Sequence, residues 1–273
     1  MLASSLRRIA QETRHAPGLR SLTPLWNWIR PVYERVLNAL SSSSGVEVRI
    51  AGCPIRLSPR FAGAAWESIE QQSYESFANA VRGGDVVYDV GAHIGTYTVL
   101  ALQKSAPSGR VVAYEPVDLT RDFLKRHLQW NCGGDRVVVR PVCCGSQTGQ
   151  ASLYFREGEM SGDSGLVPVN GAKSTVVPVR TLDSEVKELG LVPTIIKIDV
   201  EGWELEVLKG AENILARYRP LLFLSLHPEA LARLHTSSDV VQAWLEERGY
   251  CLQVIATDHE IHLVATTSRT TAR

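Results

Sequence analysis

Three short stretches of this 273-residue chain hold residue types that can bind and transform a small polar ligand. The first, Asp89-Val90-Gly91-Ala92-His93-Ile94-Gly95-Thr96, reads as an acid, a tight turn and a helix start. Gly91 permits the turn, Gly95 lets the helix begin close to a ligand, and the helix N-terminus offers free N–H groups. The spacing is G-x-x-x-G rather than the dinucleotide fingerprint G-x-G-x-x-G. Asp89 before it would repel a pyrophosphate but suits an amino group, hydroxyls or a positive charge. The second stretch, Glu115-Pro116, supplies an acidic acceptor some two dozen residues beyond Gly91, the placement expected for a hold on ribose hydroxyls. The third is Lys197-Ile198-Asp199-Val200-Glu201-Gly202-Trp203-Glu204. Strand alternation puts Lys197, Asp199 and Glu201 on one face, with Ile196, Ile198 and Val200 on the other. A central parallel strand is normally apolar on both faces, because an unpaired buried charge costs several kcal/mol. Either a self-satisfied lysine–carboxylate network or a catalytic mouth accounts for these ionisable groups.

Five further positions have both a structural and a functional reading. His227 closes an apolar strand, with Pro228 opening the next helix, beside the strand that carries Asp199. Trp203 either lines a substrate or packs a helix. Asp183, in Arg180-Thr181-Leu182-Asp183, reads as a helix N-cap rather than an active-site acid. Cys143 and Cys144 end the third strand, where a ligand's base would lie, and serve there as small wall residues because nothing adjacent would activate a thiolate.

The elements that must position these residues follow from the apolar patterning. A hairpin (VEVRI, then CPIRL) precedes a helix around 64–81. Strands are expected at 86–90, 110–115, 136–143, 194–200, 221–226, 250–255 and 261–265. Helices are expected at 95–104, 119–131, 205–218 and 239–248. The segment 145–170 reads as a hairpin plus an excursion. Strands separated by helices of ten or more residues make a doubly wound, mostly parallel sheet, whose ligands sit beyond the carboxyl ends of the strands. The last two strands are joined by Ala256–Glu260, too short for a crossover helix, so they pair antiparallel.

Basic and acidic residues balance at 29 each, so no nucleic-acid partner is expected from charge. Residues 1–60 differ from the rest, with nine Arg, no Lys and three Glu. Leu25, Trp28, Ile29, Val32, Val36 and Leu40 recur there at helical spacing. That helix packs on the main domain or on a second copy in a homo-oligomer, or gives peripheral membrane contact through residues 1–40. Five cysteines with no C-x-x-C pair, and a start without a long apolar run, point to a cytoplasmic chain without structural zinc.

VVYDVGAHIGTYT, VVAYEP and IIKIDVEGWELEVLKGA, in this order and spacing, resemble the FkbM-type S-adenosylmethionine-dependent methyltransferases. SYESFANAVRGGD and PVRTLD extend the likeness, which runs from about Ser73 to His227. The resemblance implies an α/β, Rossmann-like class I methyltransferase fold with a seven-stranded, mostly parallel sheet and an antiparallel last strand. Together with the distinct charge of residues 1–60, the expected division is an N-terminal helical extension and start of a hairpin (1–60), a methyltransferase domain (61–266) and a tail (267–273). By position, Asp89, Gly91, His93, Gly95 and Thr96 would surround the methionine part of the cofactor, Glu115 the ribose, and Cys143 and Cys144 the adenine. One departure stands out: relatives commonly carry an acid two residues before the histidine of the fifth strand, where this chain has Ser225.

The function expected is O-methylation of a sugar, glycolipid or natural-product hydroxyl, with S-adenosylmethionine as methyl donor. Asp199 is the first choice for the base and His227 the second, with Lys197 holding Asp199 ionised and Glu201 and Glu204 orienting substrate or partner residues. A divalent metal on Asp199, Glu201 and Glu204 is not favoured. The alternatives are N-methylation, a non-catalytic cofactor-binding scaffold and, less in keeping with the glycine loop, a nicotinamide oxidoreductase. The acceptor's identity is left to residues 1–60 and 145–173.

Overall fold

The computed structural model describes residues 44–66, 68–155, 165–167 and 172–268. The N-terminal helix, its membrane or oligomer role, most of the excursion and the end of the tail fall outside the described residues.

The chain opens with a hairpin, β1 (Val46–Ile50) and β2 (Cys53–Leu57), in the expected places. Ala51 and Gly52 both take positive φ at its tip, the two-residue turn whose twist matches the strands. Two helices follow, the short α1 (Pro59–Ala62) and α2 (Gln71–Ala80). The main sheet is then built from β3 (Val86–Val90), β4 (Arg110–Tyr114), β5 (Val137–Arg140), β9 (Ile195–Ile198), β10 (Leu221–Leu226), β11 (Cys251–Thr257) and β12 (Ile261–Thr266). Its order is β11-β12-β10-β9-β3-β4-β5. β12 lies antiparallel between β10 and β11, and the other neighbouring pairs are parallel. This is the seven-stranded Rossmann-like sheet with a reversed last strand.

Each sheet face is covered. Val87, Val111, Ala113, Ile195 and Phe223 pack against α2, α3 (Thr96–Lys104), α4 (Asp118–Trp130) and the hairpin. Tyr88, Val90, Val112, Ile196, Ile198, Leu222 and Leu224 pack against α5 (Leu182–Leu189), α6 (Glu204–Lys209), α7 (Glu212–Tyr218), α8 (Pro228–Arg233) and α9 (Ser238–Glu246). Because Val46, Val48, Ile50, Ile55 and Leu57 are buried in the first of these cores, a domain boundary at 60/61 would cut through packed structure. The helices change face between β3 and β9, which makes that gap the topological switch point.

Several boundaries differ from the sequence reading. β9 stops at Ile198 instead of Val200, because the chain turns through left-handed Glu201 and Gly202. The third strand ends at Arg140, and Cys143–Cys144 forms a separate strand, β6. This pairs with β8 (Lys173–Arg180) in a small sheet that also holds β7 (Gly149–Phe155). The fully buried Glu185 ties that sheet to the main one, binding Arg140 at 2.7 Å and Arg180 at 3.0 Å. The helix expected over 205–218 breaks at Gly210-Ala211 into α6 and α7. Asp183 does not cap its own helix, which Thr181 does; its carboxylate caps α7 through the N–H groups of Asn213 and Ile214.

His127 of α4 pins the hairpin side of the core. Its Nε2 accepts the Ser58 N–H at 2.8 Å, and its Nδ1–H meets the Ile94 carbonyl at 2.8 Å, a pattern that only the neutral ring satisfies. Burial lowers its pKa from 6.5 to about 4. The unfolded chain therefore takes up a proton that the folded chain refuses between those values. Stability is fully present above 6.5 and falls as pH drops towards 4, by up to about 3 kcal/mol. Urea unfolding at pH 7 and pH 5 checks this, and a His127→Gln variant should show a flatter dependence over the same window.

Candidate active site

At the carboxyl ends of β3, β4 and β9 lies a cavity of about 320 Å³, bordered also by His259 and Glu260 of the turn before β12; His227 is not among its lining residues. One of the two motif glycines, Gly91, shapes its rim. A Cβ on Gly91, at φ +85, would stand 1.7 Å from the Asp199 carbonyl, so only glycine lets the loops after β3 and β9 touch. Gly95 has a different role from the one expected. Its Cβ would meet Leu124 Cδ1 at 2.3 Å, so this glycine serves the packing of α3 on α4, and it is absent from the cavity lining.

On the β4 side, Glu115 lines the cavity with three donors fixed on it. Its Oε2 takes the His93 N–H, and its Oε1 the Val117 N–H and the Thr120 hydroxyl, each at 2.8 Å. Burial pushes its carboxyl up and these donors pull it down, leaving it raised. Val142, Cys143, Cys144 and Leu153 form the adjoining apolar wall. Burial pushes the Cys143 thiol up to about 12 and Cys144 further, so both are neutral wall residues, as read from the sequence.

Thr96 and His93 line the cavity, Thr96 sharing a hydrogen bond of 2.9 Å with the Tyr74 hydroxyl. Asp89 does not reach it. Its carboxylate lies buried behind the wall, accepting the Thr98 hydroxyl, and burial raises its pKa to about 6. Asp89 thus anchors α3 to β3 from below, a correction to its expected place at the ligand.

On the β9 side, Asp199, Glu201 and Trp203 line the cavity; Lys197 and Glu204 do not. Lys197 is buried beneath, donating to Asp199 Oδ2 at 3.0 Å and Ser225 Oγ at 2.7 Å, with Nζ 4.9 Å from the centre of the Tyr97 ring. Burial would raise the Asp199 carboxyl, but Lys197 and then His227 hold it below its ordinary value. The expectation that Lys197 keeps Asp199 ionised agrees with this geometry. A depressed carboxyl is a weak base, however, so Asp199 is better fitted to orient a hydroxyl than to take its proton.

The position of the missing acid is not empty of polar contacts. Ser225 Oγ accepts from Lys197, so its own proton points to His262 Nδ1, 2.9 Å away on β12. A neutral relay stands where the resemblance led to the expectation of an acid.

His227 sits at the end of β10 with four carboxylates about it: Glu204 on Nδ1 at 2.7 Å, and Glu260, Glu201 and Asp199 around Nε2 at 3.3, 3.4 and 3.6 Å. Burial lowers its pKa, but Glu204, Glu260, Asp199 and Glu201 reverse that and push it up to about 11. Such a ring is already protonated at neutral pH and cannot be the base. Of the two roles expected for Glu204, orienting a partner residue is the one its contacts match: fully buried, it takes the Gly202 N–H at 2.9 Å and the His227 ring, so it holds the imidazole and does not reach a substrate. Trp203 both lines the cavity and packs on the second core.

Sequence reasoning missed Glu70, Tyr97 and Glu260. Glu70, at φ +44 before α2, lines the cavity and accepts the Tyr97 hydroxyl at 3.1 Å; burial and then Asp199 raise its carboxyl. No strand-end rule reaches it, because it lies outside the strand–helix repeat. Lys197→Met removes the ammonium from a half-buried carboxylate and a buried hydroxyl. It should cost about 3 kcal/mol, read as a lowered urea midpoint.

Comparisons with known proteins bear on the family of the chain. Residues 89–252 match the description "Methyltransferase FkbM domain". Hexuronic acid methyltransferase AglP of Haloferax volcanii is 33% identical over 133 residues, 48% of this chain and 52% of that protein. Methyltransferase sdnD of Sordaria araneosa is 29% identical over 162 residues, covering 46% of this chain and 60% of its own. The chain thus spans about half to three-fifths of these relatives. The crystal structure of methyltransferase FkbM from Methylobacillus flagellatus KT aligns over 89% of this chain and 60% of its own, at 17% identity and a TM-score of 0.49. With more than half of its length matched, this chain belongs to the methyltransferase FkbM domain family.

Proposed function

We propose that the chain transfers a methyl group from S-adenosylmethionine to a hydroxyl oxygen of a sugar or sugar-bearing acceptor. The observation that carries this is the facing of Glu115, with its apolar wall of Val142, Cys143 and Cys144, against the carboxylates Asp199, Glu201 and Glu70 across one cavity. The first half fits a nucleoside, with a carboxylate for the ribose diol and neutral thiols beside the base. The second half fits hydroxyl donors. The cofactor supplies a methyl group activated on a sulfonium, so the protein's task is alignment and removal of one proton.

Within that task Glu115 holds the ribose, and Gly91 brings the β3 and β9 loops close enough for donor and acceptor to meet. Asp199, fixed on Oδ2 by Lys197, leaves Oδ1 to orient the acceptor hydroxyl. Glu70, on the same cavity wall and steadied by Tyr97, takes its proton. The hexuronic acid acceptor in the name of the H. volcanii relative supports a sugar as substrate class. N-methylation is less well supported, since an acid-lined acceptor side would keep an amine protonated and unreactive.

Calorimetric titration with S-adenosylhomocysteine tests the cofactor half: saturable one-to-one binding is expected, and its absence overturns the reading. Glu115→Gln should weaken that binding about 10-fold, because its amide NH₂ must face one of three donors. Glu70→Gln should lower kcat about 100-fold with labelled methyl donor and a uronic acid acceptor, while leaving S-adenosylhomocysteine affinity unchanged.

A further inference from the structure

At the end of β10, behind the cavity residues Asp199, Glu201 and Glu260, the His227 ring is tied down on one side only. Its Nδ1–H donates to the buried Glu204 at 2.7 Å, which fixes the ring plane and turns Nε2 into the cluster. Nε2 is buried there and has no hydrogen-bond partner. Glu260 Oε1, Glu201 Oε2 and Asp199 Oδ1 stand around it at 3.3, 3.4 and 3.6 Å. Glu260 is itself buried, with Oε2 lacking a hydrogen bond, while its Oε1 also meets the exposed His259 ring at 3.0 Å. The second oxygen of Asp199 is taken by Lys197.

These separations have a simple geometric meaning. Atoms about 2.1 Å from a common metal ion, at tetrahedral or octahedral angles, lie about 3.0–3.4 Å from one another. One oxygen or nitrogen each from Asp199, His227 and Glu260 falls within 4.8 Å of the other two. A ring whose far nitrogen donates to a buried carboxylate is also the usual support of a metal-bound histidine; the ion takes the place of the Nε2 proton that the surrounding carboxylates otherwise hold, so its binding releases that proton. Four carboxylates in this cluster, set against one lysine and one imidazole, leave negative charge for a cation to offset.

We propose that Asp199, His227 and Glu260 hold a divalent cation, with Glu201 as a fourth ligand and Glu204 as the positioning residue behind the histidine. One imidazole and several carboxylate oxygens form a mixed set suited to Mn²⁺. The ion's role rests on the methyl-transfer reading: Asp199 then orients the acceptor hydroxyl through the ion rather than directly. The hydroxyl proton passes to Glu70, the oxygen bonds to the methyl carbon, and the methyl–sulfur bond breaks with its electron pair left on sulfur. The products are a methyl ether and S-adenosylhomocysteine.

The test is a calorimetric and EPR titration of the full chain with MnCl₂, run beside the S-adenosylhomocysteine titration. One saturable Mn²⁺ per chain is expected. Glu260→Gln and Glu201→Gln should weaken it at least 10-fold, and Glu204→Gln 10- to 100-fold, all with S-adenosylhomocysteine binding retained as proof of fold. EDTA should abolish turnover and Mn²⁺ restore it. A chain that binds S-adenosylhomocysteine but no Mn²⁺ overturns the metal site and leaves the methyltransferase reading standing. Mn²⁺ bound without S-adenosylhomocysteine supports the site and overturns that reading. Equal Mn²⁺ affinity in the Gln variants, or turnover indifferent to EDTA, overturns the proposal.

Discussion

Lys197 buries an ammonium under the functional end of the sheet, and the arrangement of the site follows from what that ammonium requires. Removed from water, it must have acceptors on every open side, and each one comes from a different element. Asp199 lies beyond its own strand, Ser225 is on β10, and the Tyr97 ring face is on α3. Ser225 passes the constraint on to His262 of β12. One buried charge therefore registers two parallel strands, the reversed strand and α3, and it fixes which Asp199 oxygen is left for the cavity. Replacing the acid expected at 225 by a hydroxyl keeps this registration while leaving one anion fewer near the ammonium.

The backbone imposes a second constraint at the switch point. The Asp199 N–H bonds the Val90 carbonyl at 2.9 Å, and the Asp199 carbonyl occupies the space a side chain on Gly91 would fill. The ends of β3 and β9 are thus in contact just before their helices leave for opposite faces. On the methyl-transfer reading proposed above, the donor would lie on the β3 and β4 loops and the acceptor on the loop after β9, so that the two would meet across that contact. Transfer between two bound molecules needs such an arrangement, since misplacement by an ångström weakens alignment of the reacting atoms.

Much of this was legible in the sequence because it depends on short-range pattern. The strands Val86–Val90 and Leu221–Leu226, the hairpin and the antiparallel end of the sheet follow from apolar runs and connection lengths. Glu115, Asp199 and His227 follow from the rule that strand ends carry ligands. Depth was not legible. Asp89, Lys197 and Glu204 stand among cavity residues in sequence yet face the interior, because whether a strand-end side chain points into the cleft or beneath it depends on which helix covers that face. Protonation was misread for the same reason: His227 is a plausible base as an isolated imidazole, and loses that capacity once four carboxylates surround it.

Glu260 was missed although its place follows from register. The sequence indicates that the last two strands form an antiparallel pair, but not that β12 inserts between β11 and β10. Once it does, Leu226 stands opposite Ile261. In an antiparallel pair the residue after one strand end lies beside the residue before the other strand's start, so His227 and Glu260 must be neighbours. The turn between β11 and β12 is thereby delivered to the carboxyl edge of the parallel strands, the only edge where ligands bind in such a sheet. The reversed strand thus adds an acidic residue from the end of the chain to a site otherwise built from its middle, and it does so through hydrogen-bond register alone.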